Sequence, residues 1–324
     1  MADRLSLIID RLRLEMQSWN SVEMTVRREQ TMQNVPARVK DPTVRVEEHY
    51  IETKLGQRLL EEVSTSADGK TKRQLDYSDG ERCARVFFDA SNSHQTQIDI
   101  TNRFSSEHEI GFTRRPEPFF YYYVGKVPIF DALRTAQPLG EGQAMGRPCD
   151  LYLFTGVKLV ESPLDAVYYL DQETSAVLKA EFFKAGGERN SSEAIRIWEA
   201  KSLDAVDGDH HIAFKSENQF FQKSSAGRLP LLTNTVVIES VHYNGEFDAK
   251  TFWPVYQPGV LVNDTIKKTF YRSPATVQTP ATTTTGAATL APTQPWSWES
   301  LASPVIVCLG LFIIALAVTI GRRK

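Results

Sequence analysis

The chain has 324 residues, 41% of them hydrophobic and 24% charged, with a formal net charge of −3. That length suits one large domain or two small ones, with enough apolar residues for a core. The near-neutral balance gives no support for a nucleic-acid partner, which would need a basic patch or stripe.

Residues 4–19 carry Leu5, Ile8, Ile9, Leu12 and Met16, a spacing of three and four that predicts an amphipathic helix. Asp10, Arg11, Arg13 and Glu15 interrupt these apolar positions, so the stretch is not an export signal. Beyond it the period changes to two. Val22, Met24 and Val26 alternate with polar neighbours, and Val44, Val46 and Glu48 continue the pattern after the Pro36–Pro42 break.

Asp68-Gly69 and Asp79-Gly80 are hairpin dipeptides, and they separate strands predicted at 56–65, 71–77, 82–89 and 95–102. In the third of these, Ala84, Val86 and Phe88 share a face. The run Phe119-Phe120-Tyr121-Tyr122-Tyr123 suits either the lining of an apolar site, a docking patch, or a strand packed on both sides. Residues 127–136 form a short helical piece, and the glycine-bearing stretch 137–147 is expected to be a mobile loop over the sheet.

Further strands are predicted near 150–158, 164–170, 176–184, 193–200, 210–221 and 233–244. In 176–184, Ala176, Leu178, Ala180 and Phe182 face one way, while Lys179 and Glu181 form an opposite, solvated face. Such one-sided strands describe a large antiparallel meander that buries one face. The fold class is therefore α+β, mainly antiparallel β: a curved half-barrel sheet with an N-terminal and a short central helix packed on it.

No chemistry-bearing motif emerges. His210-His211 follows Asp207-Gly208-Asp209, but neighbouring strand residues point to opposite faces, so a polar turn is favoured over a metal site. The run Lys184-Ala185-Gly186-Gly187-Glu188-Arg189 suits a hairpin turn. No G-x-S-x-G elbow, P-loop, H-E-x-x-H or Rossmann pattern is present, so no catalytic residue, metal site or cofactor is expected. Cys83, Cys149 and Cys308 are too few for a disulfide framework. With Cys308 in an apolar segment, at most one bridge, Cys83–Cys149, is left.

The folded domain is expected to cover residues 1–272. Between Arg272 and Glu299 no residue is charged, and the Thr/Pro/Ala-rich composition predicts a flexible tether over 273–300. Residues 301–321 are uncharged and long enough for a transmembrane helix across roughly 30 Å of hydrocarbon. Trp296 and Trp298 precede it, and the basic tail 322–324 follows it. The positive tail favours the cytoplasmic side, placing the domain outside. Two arrangements stay open: a signal peptide missing from the given start with an extracytoplasmic domain, or a tail-anchored protein with a cytoplasmic one.

The order of elements resembles a known superfamily. A helix running into a strand (IIDRLRLEMQSWNSVEMTVRREQTM), a long meander with a small central helix, and the closing segment FDAKTFWPVYQPGVLVNDTI are similar to the LolA/LolB-like periplasmic lipoprotein carriers. The resemblance implies an unclosed half-barrel around an apolar cavity that holds acyl chains, in an extracytoplasmic location. The anchor departs from the soluble or lipidated carriers and puts free shuttling in doubt.

The function expected on this basis is non-enzymatic binding of a lipid, acyl chain or other apolar ligand by a membrane-tethered domain. A structural or regulatory interaction domain with a self-filled cavity, and more remotely a tethered hydrolase, are the alternatives. Expected partners are the membrane, a lipid or acylated ligand and an envelope protein. Val86, Phe88, Ile98, Leu153, Phe182 and Ile197, large apolar residues on alternating strands, are the expected cavity lining.

Overall fold

Period-two alternation from Ser21 onward folds as strands, and the 3.6-period stretch before it folds as a helix. The computed structural model describes residues 2–33, 43–102, 121–125, 127–158, 163–187, 189–206, 210–224 and 227–274, all within the unit Met1–Pro280. Residues 275–300 of the stretch expected to be a tether, and the segment 301–321 expected to be a transmembrane helix, lie outside the described residues. No helix among the described residues is long and apolar enough to cross a membrane.

Helix α1 spans Ala2–Ser18 and buries Ile8, Ile9 and Leu12, leaving Leu7 and Leu14 exposed. Its end is tied to the sheet: the Asn20 N–H donates to Asn244 Oδ1 at 2.7 Å. Six strands follow, β1 (Ser21–Met32), β2 (Thr43–Thr53), β3 (Arg58–Thr65), β4 (Thr71–Ser78), β5 (Arg82–Phe88) and β6 (Gln95–Asn102). A minor pair, β7 (Tyr123–Val124) and β8 (Val127–Pro128), leads into α2 (Ile129–Ala132), which a 3₁₀ turn at Leu133–Thr135 extends. The meander resumes with β9 (Gln137–Ala144), β10 (Arg147–Val157), β11 (Leu164–Asp171), β12 (Val177–Lys184), β13 (Arg196–Val206), β14 (His210–Ser224) and β15 (Gly227–Tyr243). A 3₁₀ turn at Ala249–Phe252 then precedes β16 (Leu261–Asp264) and β17 (Thr269–Arg272).

Fifteen of these strands form one open, curved sheet in the order β17-β16-β6-β5-β4-β3-β2-β1-β15-β14-β13-β12-β11-β10-β9. The β1–β15 pairing joins the two halves of the meander. One pair is parallel, β16 with β6. Parallel neighbours need a crossover, and residues 244–260 supply it by running back along the sheet.

Residues opposite one another in an antiparallel pair share a face, so the register assigns every strand residue to a side. One row reads Met24, Tyr50, Leu60, Asp76, Arg85 and Asp99 from β1 to β6. Its continuation on the other half is Asn234, Asn218, Trp198, Ala180, Tyr168 and Tyr152. Helices α1 and α2 lie on this face, packing Ile8, Leu12, Ile129, Phe130 and Leu133 onto Tyr152, Tyr168, Phe182 and Trp198.

The opposite face is covered too, at both ends, and this corrects the one-sided meander expected from the pattern. Beneath the crossover, Leu75, Val86, Ile98, Ile100 and Val262 pack against Trp253 and Tyr256. At the other end the segment 185–195 covers Leu153, Val167 and Phe183. Glu181, expected on a solvated face, is 2% exposed there. It accepts hydrogen bonds from Tyr169 Oη at 3.0 Å and Ser191 Oγ at 2.7 Å, and pairs with Lys179 at 2.8 Å. These partners come from a neighbouring strand and the covering segment, which a single-strand pattern does not contain.

A second correction concerns 137–147. This stretch is strand β9 and its turn to β10, not a loop. Met145 and Gly146 both take positive φ, 53° and 73°, the two-residue hairpin turn that fits strand twist. A Cβ on Gly142 would lie 2.7 Å from Leu151 Cδ1, so glycine here permits close strand packing. Cys83 and Cys149 are both buried, and no disulfide joins them.

Candidate functional site

The helix-bearing face changes character along its length. Over β10–β13 it is apolar and aromatic, and α1 and α2 lie on it. In the middle, Val22, Met24, Val26, Tyr50, Val236 and Ile238 pack beside Trp19. Over β2–β6 it becomes ionic. Arg28 meets Glu48 at 3.0 Å, Arg58 meets Glu52 at 2.7 Å, and Arg85 grips Asp76 through two bonds of 2.7 and 2.8 Å. Burial pushes the Asp76 carboxyl above its usual range, against the pull of Arg85.

A cavity of about 20 Å³ lies where the apolar and ionic stretches meet. Glu15 and Met16 come from the end of α1, Trp19 from the residue just after it, and Tyr122 and Tyr123 from the aromatic run. Glu52, His210, Ile212 and Tyr243 come from β2, β14 and β15. Trp19 follows the helix directly, four residues after Glu15, and both side chains line the same opening. Burial pushes the Glu15 carboxyl up to about 7, although the His211 N–H at 3.1 Å and Tyr122 Oη at 3.4 Å both donate to it. Tyr122 shares that single proton with the His211 carbonyl, the nearer acceptor at 2.8 Å, and burial next to Glu15 holds its phenol well above the usual range. His210 stacks on Tyr243 at 4.6 Å, and its Nε2 lies 2.6 Å from Ser18 Oγ.

A wider, more open cleft of about 220 Å³ separates the first turn of α1 from β9 and β10. Arg4 crosses it to Asp150 at 2.8 Å and Glu141 at 3.4 Å. Among the described residues, no group of three His, Cys, Asp or Glu side chains could hold a metal ion.

The six apolar residues singled out in the sequence do not come together. Val86, Phe88 and Ile98 belong to the cluster under the crossover, and Leu153 and Ile197 to the cluster under 185–195. Both clusters lie on the face away from α1. Phe182 alone faces the helices, packed at 6.3 Å from Tyr121 and 6.2 Å from Tyr168, with Arg196 over its ring at 5.2 Å. Alternation shows that a strand has two faces without showing which one carries the helices.

Glu15, Trp19, Tyr122, His210 and Tyr243 were not expected as site residues. Two signals for them stand in the sequence: a carboxylate on a helix otherwise patterned for burial, and the aromatic run. Of that run, Phe119 and Phe120 lie outside the described residues. Tyr121 is fully buried and stacks on Trp198 at 4.2 Å.

No family model matches the chain, and no curated protein matches it. Among solved structures, it is similar to a domain described as an outer membrane lipoprotein-sorting protein from Vibrio parahaemolyticus. The identity is 10% and the TM-score 0.47, over 76% of this chain and 94% of that one. A DUF1329 family protein from Desulfovibrio piger gives 11% identity and a TM-score of 0.47, over 77% and 97%. A LolA superfamily protein from Nitrosomonas europaea gives 11% and 0.40, again over 77% and 97%. The LolA-type resemblance read from the sequence thus recurs among solved structures. At such identities it assigns no residue of the site.

Proposed function

We propose that the domain binds an apolar or amphiphilic ligand, such as a lipid or acyl chain, on the helix-bearing face and does so without catalysis. One observation carries this reading. Among the described residues, the apolar stretch of that face is covered by two helices and the short segment 121–128 with its minor β7–β8 pair, and α1 is held at its rim by polar ties. Those ties are Arg4 to Asp150, Arg11 to the Glu173 carbonyl at 2.7 Å, Ser18 to His210, and Glu15 to His211. Apart from the enclosed Glu15 contact, these ties reach the surface, and exposed polar contacts of this kind give way at modest cost. An acyl chain that replaces Ile8, Ile9 and Leu12 on the sheet recovers about 25 cal/mol per Å² of apolar surface removed from water.

In this reading the tether 273–300 and the segment 301–321 keep the domain at a membrane, on the extracytoplasmic side. The support is the charge-free composition and the basic residues 322–324. An envelope protein or acylated protein is then within reach as partner.

Native mass spectrometry of the full chain, released from detergent, tests the reading. A bound lipid adduct and uptake of a fluorescent fatty acid are expected. A bare mass with no uptake refutes it.

The small enclosed volume favours a second reading, an interaction domain whose trough is filled by its own side chains. That domain would take up no fatty acid and would bind its partner with α1 in place.

A further inference from the structure

The cavity at the end of α1 is built unlike the apolar trough beside it. Four aromatic side chains, Trp19, Tyr122, Tyr123 and Tyr243, surround two carboxylates, Glu15 and Glu52. Glu52 is matched by Arg58. Among the described residues, Glu15 receives only neutral donors, the His211 N–H and the Tyr122 hydroxyl. The nearby cations of α1 are engaged elsewhere, Arg11 at the Glu173 carbonyl and Arg13 at Asp10. An enclosed carboxylate without a counter-charge costs stability, and departures of this kind gather at functional positions.

His210 adds a second acceptor. The Ser18 hydroxyl donates to the Glu15 carbonyl at 2.9 Å, so its proton is already committed. The short contact between Ser18 Oγ and His210 Nε2 therefore requires the imidazole proton on Nε2. Nδ1 is left as a lone-pair acceptor, and it is buried with no partner. The wall thus offers a carboxylate, an imidazole nitrogen and several π faces, which together call for a compact cation with more than one N–H. A volume of about 20 Å³ exceeds the roughly 10–15 Å³ that one water needs. An ammonium nitrogen fits that space and a trimethylammonium group does not.

We propose that this cavity receives a primary ammonium group, the head of an amphiphile whose chain lies in the trough under α1. The ammonium donates to the Glu15 carboxylate and to His210 Nδ1 and rests against the aromatic rings. This assignment depends on the apolar-ligand reading above and narrows its ligand class.

The test uses the full chain in detergent and four amphiphiles with one acyl chain in common. Their heads are phosphoethanolamine, N-acetylated phosphoethanolamine, phosphocholine and uncharged glycerol. Calorimetry is expected to show the free-amine head binding about tenfold more tightly than its N-acetylated form, one charge-assisted contact's worth. In Glu15→Gln, an isosteric change whose folding is checked by circular dichroism, that ratio falls to about one. In His210→Phe, which keeps the stack on Tyr243, it falls part of the way. Equal affinity for the three phosphate-bearing heads, or a preference that survives in Glu15→Gln, overturns the proposal and leaves the cavity a water site. If the glycerol-headed amphiphile also fails to bind, the apolar-ligand reading falls first and the ammonium site falls with it.

Discussion

Arg58 and Glu52 stand opposite each other on β3 and β2, with Nη2 and Oε1 2.7 Å apart and under a tenth of either side chain exposed. Tyr50 Oη donates to the same carboxylate at 2.5 Å, so the pair is both charged and hydrogen-bonded inside the domain. It belongs to an ionic stretch that continues through Arg28–Glu48 and Arg85–Asp76. A sheet face that carries such a row is specified by pairing as well as by hydrophobicity.

Removing one member of a buried ion pair strands the other, at a cost of about 3–5 kcal/mol. Arg58→Met is therefore expected to lower stability by about 3 kcal/mol. The double change Arg58→Met with Glu52→Leu should recover part of that loss, because neither charge is then left alone. Urea unfolding of the four members of the cycle measures the coupling. Additive losses would show that the pair is not energetically linked.

Glu181 anchors the segment 185–195 to the outer face through Ser191, while Arg189 reaches Asp165 at 3.0 Å. Glu181→Ala leaves the Tyr169 and Ser191 hydroxyls short of their acceptor and should cost about 2 kcal/mol. The segment should loosen locally before the sheet unfolds. Trypsin cleavage at Lys184 and Arg189 is expected to accelerate in this variant under native conditions, with cleavage at Lys54 unchanged.

Much of the strand order was legible because each hairpin is local. Asp79-Gly80 turns β4 into β5, with the Asp79 carboxylate accepting the Arg82 N–H at 2.7 Å, all within a few residues. What was not legible depends on residues far apart in sequence. Val86 and Phe182 have the same alternating context, yet one packs under Trp253 and the other under α1. The crossover 244–260 makes that difference, and no periodicity announces it. The site was hidden for a similar reason: Glu15 and His210 are 195 positions apart and meet only because β1 pairs with β15.

That division predicts different behaviour for residues that look alike in sequence. Ile98→Ala and Leu153→Ala remove buried side chains on the outer face, and each should cost about 2–4 kcal/mol. Fatty-acid uptake should stay at the wild-type level in both. Phe182→Ala should cost about 3–5 kcal/mol and also change uptake, since its ring lies under the helices. Thermal melts alongside the fluorescence assay separate the two classes. Loss of uptake in Ile98→Ala at a temperature where it is folded would move the ligand to the other face.

The Glu15 carboxyl gives the domain a pH dependence of known sign. Its folded value, about 7, is raised from 4.5 by burial, the largest cause. The folded state therefore holds this proton more tightly than the unfolded chain does, and stability is fullest below the unfolded value. It declines as pH rises from about 4.5 and reaches its floor just above 7. The Glu15 side chain keeps some solvent contact, so the loss is on the order of 2 kcal/mol, less than the full shift implies. The groups that face it are Tyr122, His210, the His211 N–H and the Glu52–Arg58 pair. In Glu15→Gln the same surroundings meet a neutral amide. The decline between pH 5 and 8 should then flatten, leaving the variant more stable than wild type at pH 8 and close to it at pH 5. A wild-type melting temperature that rises across this interval would mean that the carboxylate is stabilised by its site, and that the cavity is already electrostatically satisfied.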